Sequence, residues 1–215
     1  MTNIRLVVFD MDGTLLQPRS CWEHIHKHFK TDNSEMLQRY MEHKINDQEF
    51  AEADIKLWEK NSEKPVNEEY INSILDEIKP VTGAKELIDY LQNQGILTII
   101  LSGGIKYLAN KWAKKWNIDE VIANDLIDDD RGQLCAIIES SGHAKGPIMD
   151  QLINRLNMSK SEVASVGDSI VDIPLFQRSS LSIAVNTEDE EVIKEANYHL
   201  KESNLSKLIP IINNW

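Results

Sequence analysis

The sequence predicts a layered α/β fold with a helical insertion and a small β-hairpin flap. Short apolar runs typical of buried strands alternate with helical patterns, as expected for parallel strands joined by helical crossovers. The segment from about residue 20 to residue 79 has helical periodicity but no convincing strand. A turn-forming acidic segment within Asn124–Leu134 is flanked by apolar residues, which favours a hairpin.

The apolar runs define the strands and helices of the predicted core. Four runs have the character of buried strands: Ile4–Phe9, Ile96–Leu101, Val163–Val166 and Leu181–Val185. Apolar residues at helical spacing occur in four further segments: Gly83–Gln94, Ile105–Trp116, Pro147–Leu156 and Glu188–Ala196. Gly95 directly follows the first of these helices, at the position of a C-terminal cap.

The helical insertion begins soon after the first strand. Glu49–Trp58 illustrates its pattern, with apolar residues spaced among acids and lysines. We predict a core domain formed by residues 1–16 and 80–215, and a cap formed by residues 17–79. Because open α/β sheets bind ligands beyond the carboxyl ends of their strands, the cap is placed to act as a lid.

The composition is that of a globular protein and argues against several other classes of protein. The chain has 215 residues, of which 41% are hydrophobic and 27% charged, an ordinary globular balance. The net charge of -12 argues against nucleic-acid binding, which needs a basic face. Cys21 and Cys135 lack the spacing of a disulfide framework or a metal knuckle. With no apolar run near the roughly 20 residues of a membrane span, we expect a cytoplasmic protein without membrane contact.

Acidic, hydroxyl and lysine side chains lie at or near the ends of the predicted strands. They are Asp10, Asp12, Ser102, Lys145, Asp168 and Asp172. Because parallel strands end at one edge of a sheet, we expect these groups to converge there. Such a set suits a phosphate monoester, whose transition state spreads negative charge over its oxygens. Lys145, Ser102 and the Gly103 amide would bind that charge.

The carboxylates complete this chemistry. Asp10 and Asp168 would hold Mg²⁺, which prefers hard oxygen ligands. Asp10 can then attack the phosphorus to form an aspartyl-phosphate. Asp12 can protonate the leaving alcohol and then deprotonate the water that hydrolyses the intermediate. Taken alone, Lys145 would be a surface lysine, but the segment His143-Ala-Lys-Gly-Pro147 opens a predicted helix near the site.

Four segments in order resemble the motifs of the haloacid dehalogenase superfamily. They are Asp10-Met-Asp-Gly-Thr-Leu15, Ser102-Gly-Gly104, Lys145-Gly146 and Gly167-Asp-Ser-Ile-Val-Asp172. The helical insertion is similar to the cap of the phosphoserine phosphatase-like branch. This resemblance covers nearly the whole chain. It implies a Rossmann-like core, Mg²⁺, an aspartyl-phosphate intermediate and phosphomonoester hydrolysis.

The resemblance also implies a role for each motif residue. Asp10 would be the nucleophile and Asp12 the acid/base. Ser102 and Lys145 would contact the phosphate. Asp168 would bind Mg²⁺ with support from Asp172, and the backbone carbonyl of Asp12 would be a further ligand.

The residues expected to recognise the substrate depart from that branch. There, a Glu shortly after the first motif meets the substrate amino group and a cap Arg meets its carboxylate. By direct counting, Arg19 stands at the position of the Glu, and an ungapped alignment puts Asp54 near that of the Arg. Both charges are inverted, so phosphoserine is not simply carried over. Arg19 would either accept a second anionic group of the substrate or form a salt bridge at the cap hinge.

The predicted function is a magnesium-dependent phosphatase acting on a small phosphomonoester, as a monomer or a homodimer. One alternative is a phosphotransferase or phosphomutase of the same superfamily, which would pass the phosphoryl group to an acceptor other than water. Another is a non-catalytic regulatory module that keeps the fold. Such modules usually lose the nucleophile or the metal carboxylates, whereas this chain retains Asp10, Asp12 and Asp168.

The histidines and tryptophans of the cap are assigned structural roles. His24 and His28 share a helical face, His26 lies on another, and no acidic ligand pattern completes a metal site. Trp22 and Trp58 are predicted to belong to the cap core rather than to contact substrate.

Overall fold

The computed structural model describes residues 3–141 and 144–215, which form an α/β core with a helical insertion. The strands within these ranges are β1 (Leu6–Phe9), β2 (Leu97–Ile105), β3 (Glu120–Asp128), β4 (Leu134–Ile137), β5 (Val163–Gly167), β6 (Leu181–Val185) and β7 (Tyr198–Leu200). The helices are α1 (Cys21–Phe29), α2 (Ser34–Met41), α3 (Asp47–Asn61), α4 (Glu68–Leu75), α5 (Ala84–Asn93), α6 (Lys106–Trp116), α7 (Lys145–Arg155), α8 (Ile173–Phe176), α9 (Glu190–Glu195) and α10 (Leu208–Asn213). None of them is long and apolar enough to cross a membrane.

The seven strands form one sheet in the order β4-β3-β2-β1-β5-β6-β7. Neighbouring strands are parallel except β3 and β4, which form the antiparallel hairpin. Strand β1 is central, and its Leu6 is aligned with Leu97 of β2 and Val163 of β5. This mostly parallel sheet confirms the predicted fold class, including its Rossmann-like core.

Strand β1 is apolar throughout because both of its faces are covered. Leu6 and Val8 belong to one hydrophobic cluster, and Val7 and Phe9 belong to another. Alternate side chains of a strand point to opposite faces, so these clusters lie on the two sides of the sheet. Burial on both faces anchors the strand whose carboxyl end leads to Asp10.

The insertion consists of α1 to α4, and three of these helices begin at a side-chain cap. Ser20 Oγ accepts a hydrogen bond from the Glu23 amide, and Asn67 Oδ1 accepts one from the Tyr70 amide. Asn46 forms a capping box at the start of α3. Such caps satisfy amides that the first helical turn leaves without partners.

The two chain passages between insertion and core run side by side. The Gln17 amide donates to the Lys79 carbonyl at 3.0 Å, and the Val81 amide donates to the Leu15 carbonyl at 2.9 Å. These contacts lie at the predicted boundaries between core and cap. The division into two domains stays a prediction, to which this pairing lends support.

Some elements differ from the sequence-based expectation. Strand β2 continues through Ser102, Gly103 and Gly104 to Ile105, whereas the apolar run predicted an end at Leu101. Its register against β3 shifts between Leu101 and Ile105, as in a β-bulge, which the two glycines permit. The sequence analysis also missed β7, which has only three residues. His143 lies outside the described residues.

Trp58 is the central residue of the cap core, with no solvent exposure. Its ring lies 5.7 Å from that of Trp22 and 6.4 Å from that of Phe29. We expect Trp58→Ala to lower the free energy of unfolding by about 3–5 kcal/mol, because it leaves a large cavity. Urea titration measures this change. The matched variant Trp215→Ala removes a half-exposed tryptophan and should cost less than about 0.5 kcal/mol. An equal loss of unfolding free energy in the two variants would contradict the central role of Trp58 in the cap core.

Candidate active site

The residues singled out from the sequence meet at the carboxyl ends of β1, β2 and β5. Asp10 and Asp12 follow β1, Ser102 lies near the end of β2, and Asp168 follows β5. Lys145 is the first residue of α7. All five side chains are buried, so the fold gathers polar groups from distant parts of the chain into one enclosed place.

A buried ion-pair triad links three of these elements. Lys145 Nζ lies 2.6 Å from Asp10 Oδ1 and 2.6 Å from Asp172 Oδ1. Burial by itself lowers the pKa of Lys145, but the two carboxylates outweigh burial and raise that pKa above its ordinary value. The ammonium group therefore stays charged at neutral pH.

Asp172 uses both of its carboxylate oxygens within the protein. Its Oδ1 accepts from Lys145, and its Oδ2 accepts from the amides of Asp168 at 3.0 Å and Ser169 at 3.1 Å. It therefore orients the lysine and the turn after β5 together. A Cβ atom at Gly167 would lie 2.4 Å from Asp172 Cγ, so only glycine allows this approach.

The carboxylates of Asp10, Asp168 and Asp172 are close enough to share a cation. Each offers an oxygen, and these oxygens lie within 4.8 Å of one another. Burial, reinforced by neighbouring carboxylates, raises the pKa of Asp10 to about 7 and that of Asp168 to about 8. The Lys145 ammonium opposes both shifts without cancelling them. This excess of negative charge and the hard oxygen donors fit Mg²⁺. Since the oxygens of Asp172 are already engaged, Asp10 and Asp168 are better placed as ligands.

The loop after β1 passes very close to Asp168. Gly13 has a φ of +71°, and a Cβ atom there would lie 2.2 Å from Asp168 Oδ2. Thr14 Oγ1 donates to Asp168 Oδ1 at 3.4 Å. A glycine is required both for the backbone angle and for this approach.

Asp12 has one oxygen bonded and the other available. Its Oδ2 accepts from the Cys21 amide at 2.8 Å. Its Oδ1 is buried and has no hydrogen-bond partner among the described residues. Burial raises the pKa of Asp12 above its ordinary value. A carboxyl group in this state suits proton transfer to a bound molecule.

Cys21 is a residue that the sequence analysis did not connect with the site. It is fully buried at the start of α1, and its Sγ accepts from the Ile105 amide at 3.3 Å. With its own amide bonded to Asp12, it joins cap, β2 and catalytic loop. The sequence holds only a weak indication of this contact: Cys21 is a small residue that directly follows the capping Ser20, soon after the Asp10 motif.

The Ser102-Gly-Gly segment is only partly arranged as predicted. Ser102 Oγ accepts from the Gly104 amide at 3.1 Å, so that amide is not free for a phosphate. The Ser102 hydroxyl hydrogen and the Gly103 amide stay as the predicted donors. A Cβ atom at Gly104 would lie 2.5 Å from Met11 Cε and 2.9 Å from Asp12 Oδ2, which explains the second glycine.

A cavity of about 370 Å³ adjoins this site between cap and core. Trp22 and Asp54 line it from the cap, and Gly103 lines it from β2. Trp22 was assigned to the cap core, but it lies at the cavity wall with its Nε1 donating to the Gly103 carbonyl at 3.1 Å. Sequence reasoning missed the other cap residues of this wall, because their helices meet only in the folded chain.

Arg19 lies outside this cavity, but its positive charge opposes the rise in the pKa of Asp168. It is exposed and lines a different cavity of about 280 Å³, together with Gly13, Thr82 and Asn186. Its Nη2 donates to the Asn186 carbonyl at 3.5 Å. Among the described residues it forms no salt bridge at the cap hinge. Arg19 and Asp54, the two positions predicted to recognise substrate, are thus placed in separate cavities.

Comparisons with known proteins agree with this architecture. The family model of haloacid dehalogenase-like hydrolases matches residues 4–179. The phosphoserine phosphatase of Methanocaldococcus jannaschii is 28% identical over 184 residues, which cover 84% of this chain and 84% of that protein. The phosphoserine phosphatase of Archaeoglobus fulgidus is 29% identical over 97% of this chain, which spans only 60% of that relative's length.

Solved structures are also similar. One is described as a phospho-aspartyl intermediate analogue of phosphoserine phosphatase. It has a TM-score of 0.78 and 25% identity, covering 97% of this chain and 98% of that one. A haloacid dehalogenase family hydrolase from Salmonella enterica has a TM-score of 0.82 at 19% identity, covering 99% of this chain and 72% of that one, and this likeness shows the fold alone.

The raised pKa values of Asp10 and Asp168 predict how stability depends on pH without a divalent cation. In the unfolded chain these groups ionise near 3.8, and in the folded chain near 7 and 8. Between these values the folded state holds more protons, so stability falls as pH rises. With a chelator, we expect the Tm to decrease from about pH 5.5 to about pH 8.5. Mg²⁺ should raise the Tm most at the higher pH, because it binds the ionised carboxylates.

Thermal unfolding with chelator or Mg²⁺ measures both effects. Asp168→Asn should reduce the pH dependence and the Mg²⁺ effect, whereas Asp130→Asn, at an exposed acid, should preserve them. An Asp168→Asn variant with the wild-type pH and Mg²⁺ dependence would contradict the assignment.

Proposed function

This chain belongs to the haloacid dehalogenase-like hydrolase family, and on that premise we propose that it is a magnesium-dependent phosphatase. It hydrolyses a small phosphomonoester through an aspartyl-phosphate intermediate on Asp10. The observation that carries this proposal is the buried Lys145 ammonium held between Asp10 and Asp172, beside Asp168. Its similarity to phosphoserine phosphatases supports the same activity class.

Phosphate binding follows from the positive charge and donors around Asp10. The Lys145 ammonium, together with the Ser102 hydroxyl and the Gly103 amide, receives the phosphate oxygens and offsets their developing charge. Asp10 and Asp168 would hold Mg²⁺, with the Asp12 carbonyl as a further ligand. Bound Mg²⁺ would neutralise these carboxylates and the phosphate, which removes the repulsion between nucleophile and substrate.

The reaction then has two steps. A carboxylate oxygen of Asp10 forms a bond to phosphorus while the ester P–O bond breaks, and Asp12 gives its proton to the departing alkoxide. A water then attacks the aspartyl-phosphate, Asp12 takes the proton of that water, and the bond between Asp10 and phosphorus breaks. The raised pKa of Asp12 and its unpartnered Oδ1 suit both proton transfers.

Enclosure by the cap favours a small substrate. The cavity is bounded on one side by α1 and α3 of the cap and on the other by β2, which leaves little room for a macromolecule. Exclusion of bulk water would also protect the intermediate from side reactions. The cytoplasmic location and the monomeric or homodimeric state stay predictions from the sequence.

Asp10→Asn should abolish turnover, because an amide is a poor nucleophile and a weaker ligand. We expect the rate of phosphate release to fall roughly a thousandfold or more on any ester that the wild type hydrolyses. Chelation of Mg²⁺ should have the same effect on the wild type and be reversed by added Mg²⁺. Asp130→Asn serves as the matched control at an exposed position and should keep wild-type rates.

A broad panel of phosphomonoesters and an assay for inorganic phosphate provide the measurement. If Asp10→Asn is as active as the wild type, the nucleophile is misassigned. Transfer of the phosphoryl group to an added alcohol in place of water would indicate the phosphotransferase alternative.

Asp12→Asn should separate the two steps. With p-nitrophenyl phosphate the leaving group needs no proton, so Asp10 can still be phosphorylated, whereas hydrolysis of the intermediate lacks its base. We expect a burst of roughly one equivalent of nitrophenol per chain, followed by slow steady-state release. With an alkyl phosphate, both steps should be slow. Rapid-mixing kinetics distinguishes these cases, and equal loss without a burst on both substrates would argue against the role of Asp12.

A further inference from the structure

The cavity beside the active site opens on the side of the leaving group. Ser20 lines it, and the amide of the next residue, Cys21, holds Asp12 Oδ2. Gly103 lines it as well, and the adjoining Gly104 packs against that same carboxylate. The part of a substrate attached to the departing oxygen therefore extends into this cavity when its phosphate lies at Lys145.

Several acidic side chains line the cavity. Asp54 and Asp47 line it from α3, and Glu23 lines it from α1. There is no lysine or arginine among its described lining residues. Glu23 is paired with Lys27 at 2.8 Å near the surface, so its charge is partly offset. Among the described residues, no lysine or arginine forms an ion pair with Asp54 or Asp47.

Asp54 is 2% exposed and lies beside the buried ring of His26. The Nδ1 atom of that ring lies 3.2 Å from Trp58 Nε1 and 2.7 Å from Thr31 Oγ1. Its Nε2 lies 3.1 Å from Asp54 Oδ1 without the alignment of a hydrogen bond.

Asn33 also contacts Asp54. Its Nδ2 donates to the same Oδ1 at 3.0 Å, which leaves Oδ2 as the oxygen for a ligand. Burying a carboxylate is costly, and a cationic ligand at Oδ2 would offset that cost.

Aromatic side chains form the remaining walls. Trp22, Tyr40 and Phe50 all line the cavity. The rings of Tyr40 and Phe50 are stacked, with centroids 5.0 Å apart, and the Tyr40 hydroxyl donates to Asp47 Oδ1 at 2.6 Å. Aromatic faces attract ammonium groups, particularly when these are desolvated. Buried carboxylate and aromatic walls together indicate recognition of an organic cation.

We propose that the substrate is the phosphate ester of an ammonium alcohol that carries no carboxylate. This inference rests on the proposed phosphatase function and deepens it. The ammonium group lies against Asp54 and the aromatic walls, while the phosphate lies at Lys145. A substrate carboxylate would face Asp54, Asp47 and Glu23 with no cation to meet it, and Arg19 lies at a different cavity. The chain thus selects against amino-acid phosphates such as phosphoserine.

The test compares kcat/KM for 2-aminoethyl phosphate, its neutral analogue n-propyl phosphate, and phosphoserine. We expect the wild type to prefer the ammonium ester to each of the others by roughly tenfold or more, about 1.4 kcal/mol. Asp54→Asn should reduce the preference over the propyl ester at least about fivefold, mainly by lowering kcat/KM for the ammonium ester. Glu59→Gln, at an exposed acid of the same helix, is the matched control and should keep the wild-type ratio.

Asp47→Asn provides a second test in case Asp54→Asn does not fold, because Asp47 is only half-buried. It should also lower the ammonium preference, by a smaller factor. Phosphocholine tests the aromatic walls. If its kcat/KM is higher than that of 2-aminoethyl phosphate in the wild type but not in Trp22→Leu, the walls contact the cation. Preference for phosphoserine or n-propyl phosphate in the wild type would overturn the proposal. Unchanged ratios in both aspartate variants would do so as well.

A binding measurement separates failure of this inference from failure of the phosphatase function. Titration calorimetry with choline alone on the full chain requires no turnover. If no ester is hydrolysed but choline binds to the wild type and not to folded Asp47→Asn, the cation site stands and the phosphatase function does not. If esters are hydrolysed without an ammonium preference and choline does not bind, the phosphatase function stands and the proposed site for an organic cation does not.

Discussion

The buried ammonium of Lys145 is the interaction on which the arrangement of the site depends. It lies 2.6 Å from carboxylates of Asp10 and Asp172, which come from opposite ends of the chain. None of these charges can be buried alone without a large desolvation cost, so the three must be brought in together. Asp172 also binds the amides of the turn after β5, which places Asp168 beside Asp10. The same network would therefore support both the proposed phosphate site and the proposed Mg²⁺ site.

The cap is coupled to this network through Asp12. One oxygen of Asp12 accepts a hydrogen bond from the first residue of α1, and the first helix of the cap thus orients the residue that we propose to transfer protons. Cys21 and Gly104 permit this close packing because both are small. On the proposed mechanism, the leaving group would lie against cap residues, and the cap would determine which substrates reach Asp12.

The chain shares its fold with phosphoserine phosphatases, yet we propose that the charge of its cavity favours a different substrate. Acidic and aromatic side chains line the cavity around Asp54, whose Oδ1 is contacted by Asn33 and His26. In a protein with a net charge of -12, an organic cation is also a favourable partner at long range. On this proposal, catalysis and substrate choice depend on separate parts of the sequence.

The sequence alone determined the fold class and the candidate catalytic residues, because both depend on local patterns. Apolar runs of strand length identified β1, β5 and β6, and the polar residues after them follow from the common edge of a parallel sheet. Only the tertiary structure decided the surroundings of Asp54, the separate place of Arg19 and the contact of Cys21 with Asp12. These depend on how α1, α2 and α3 pack against one another and against β2. Such packing joins side chains far apart in sequence, and no local periodicity records it.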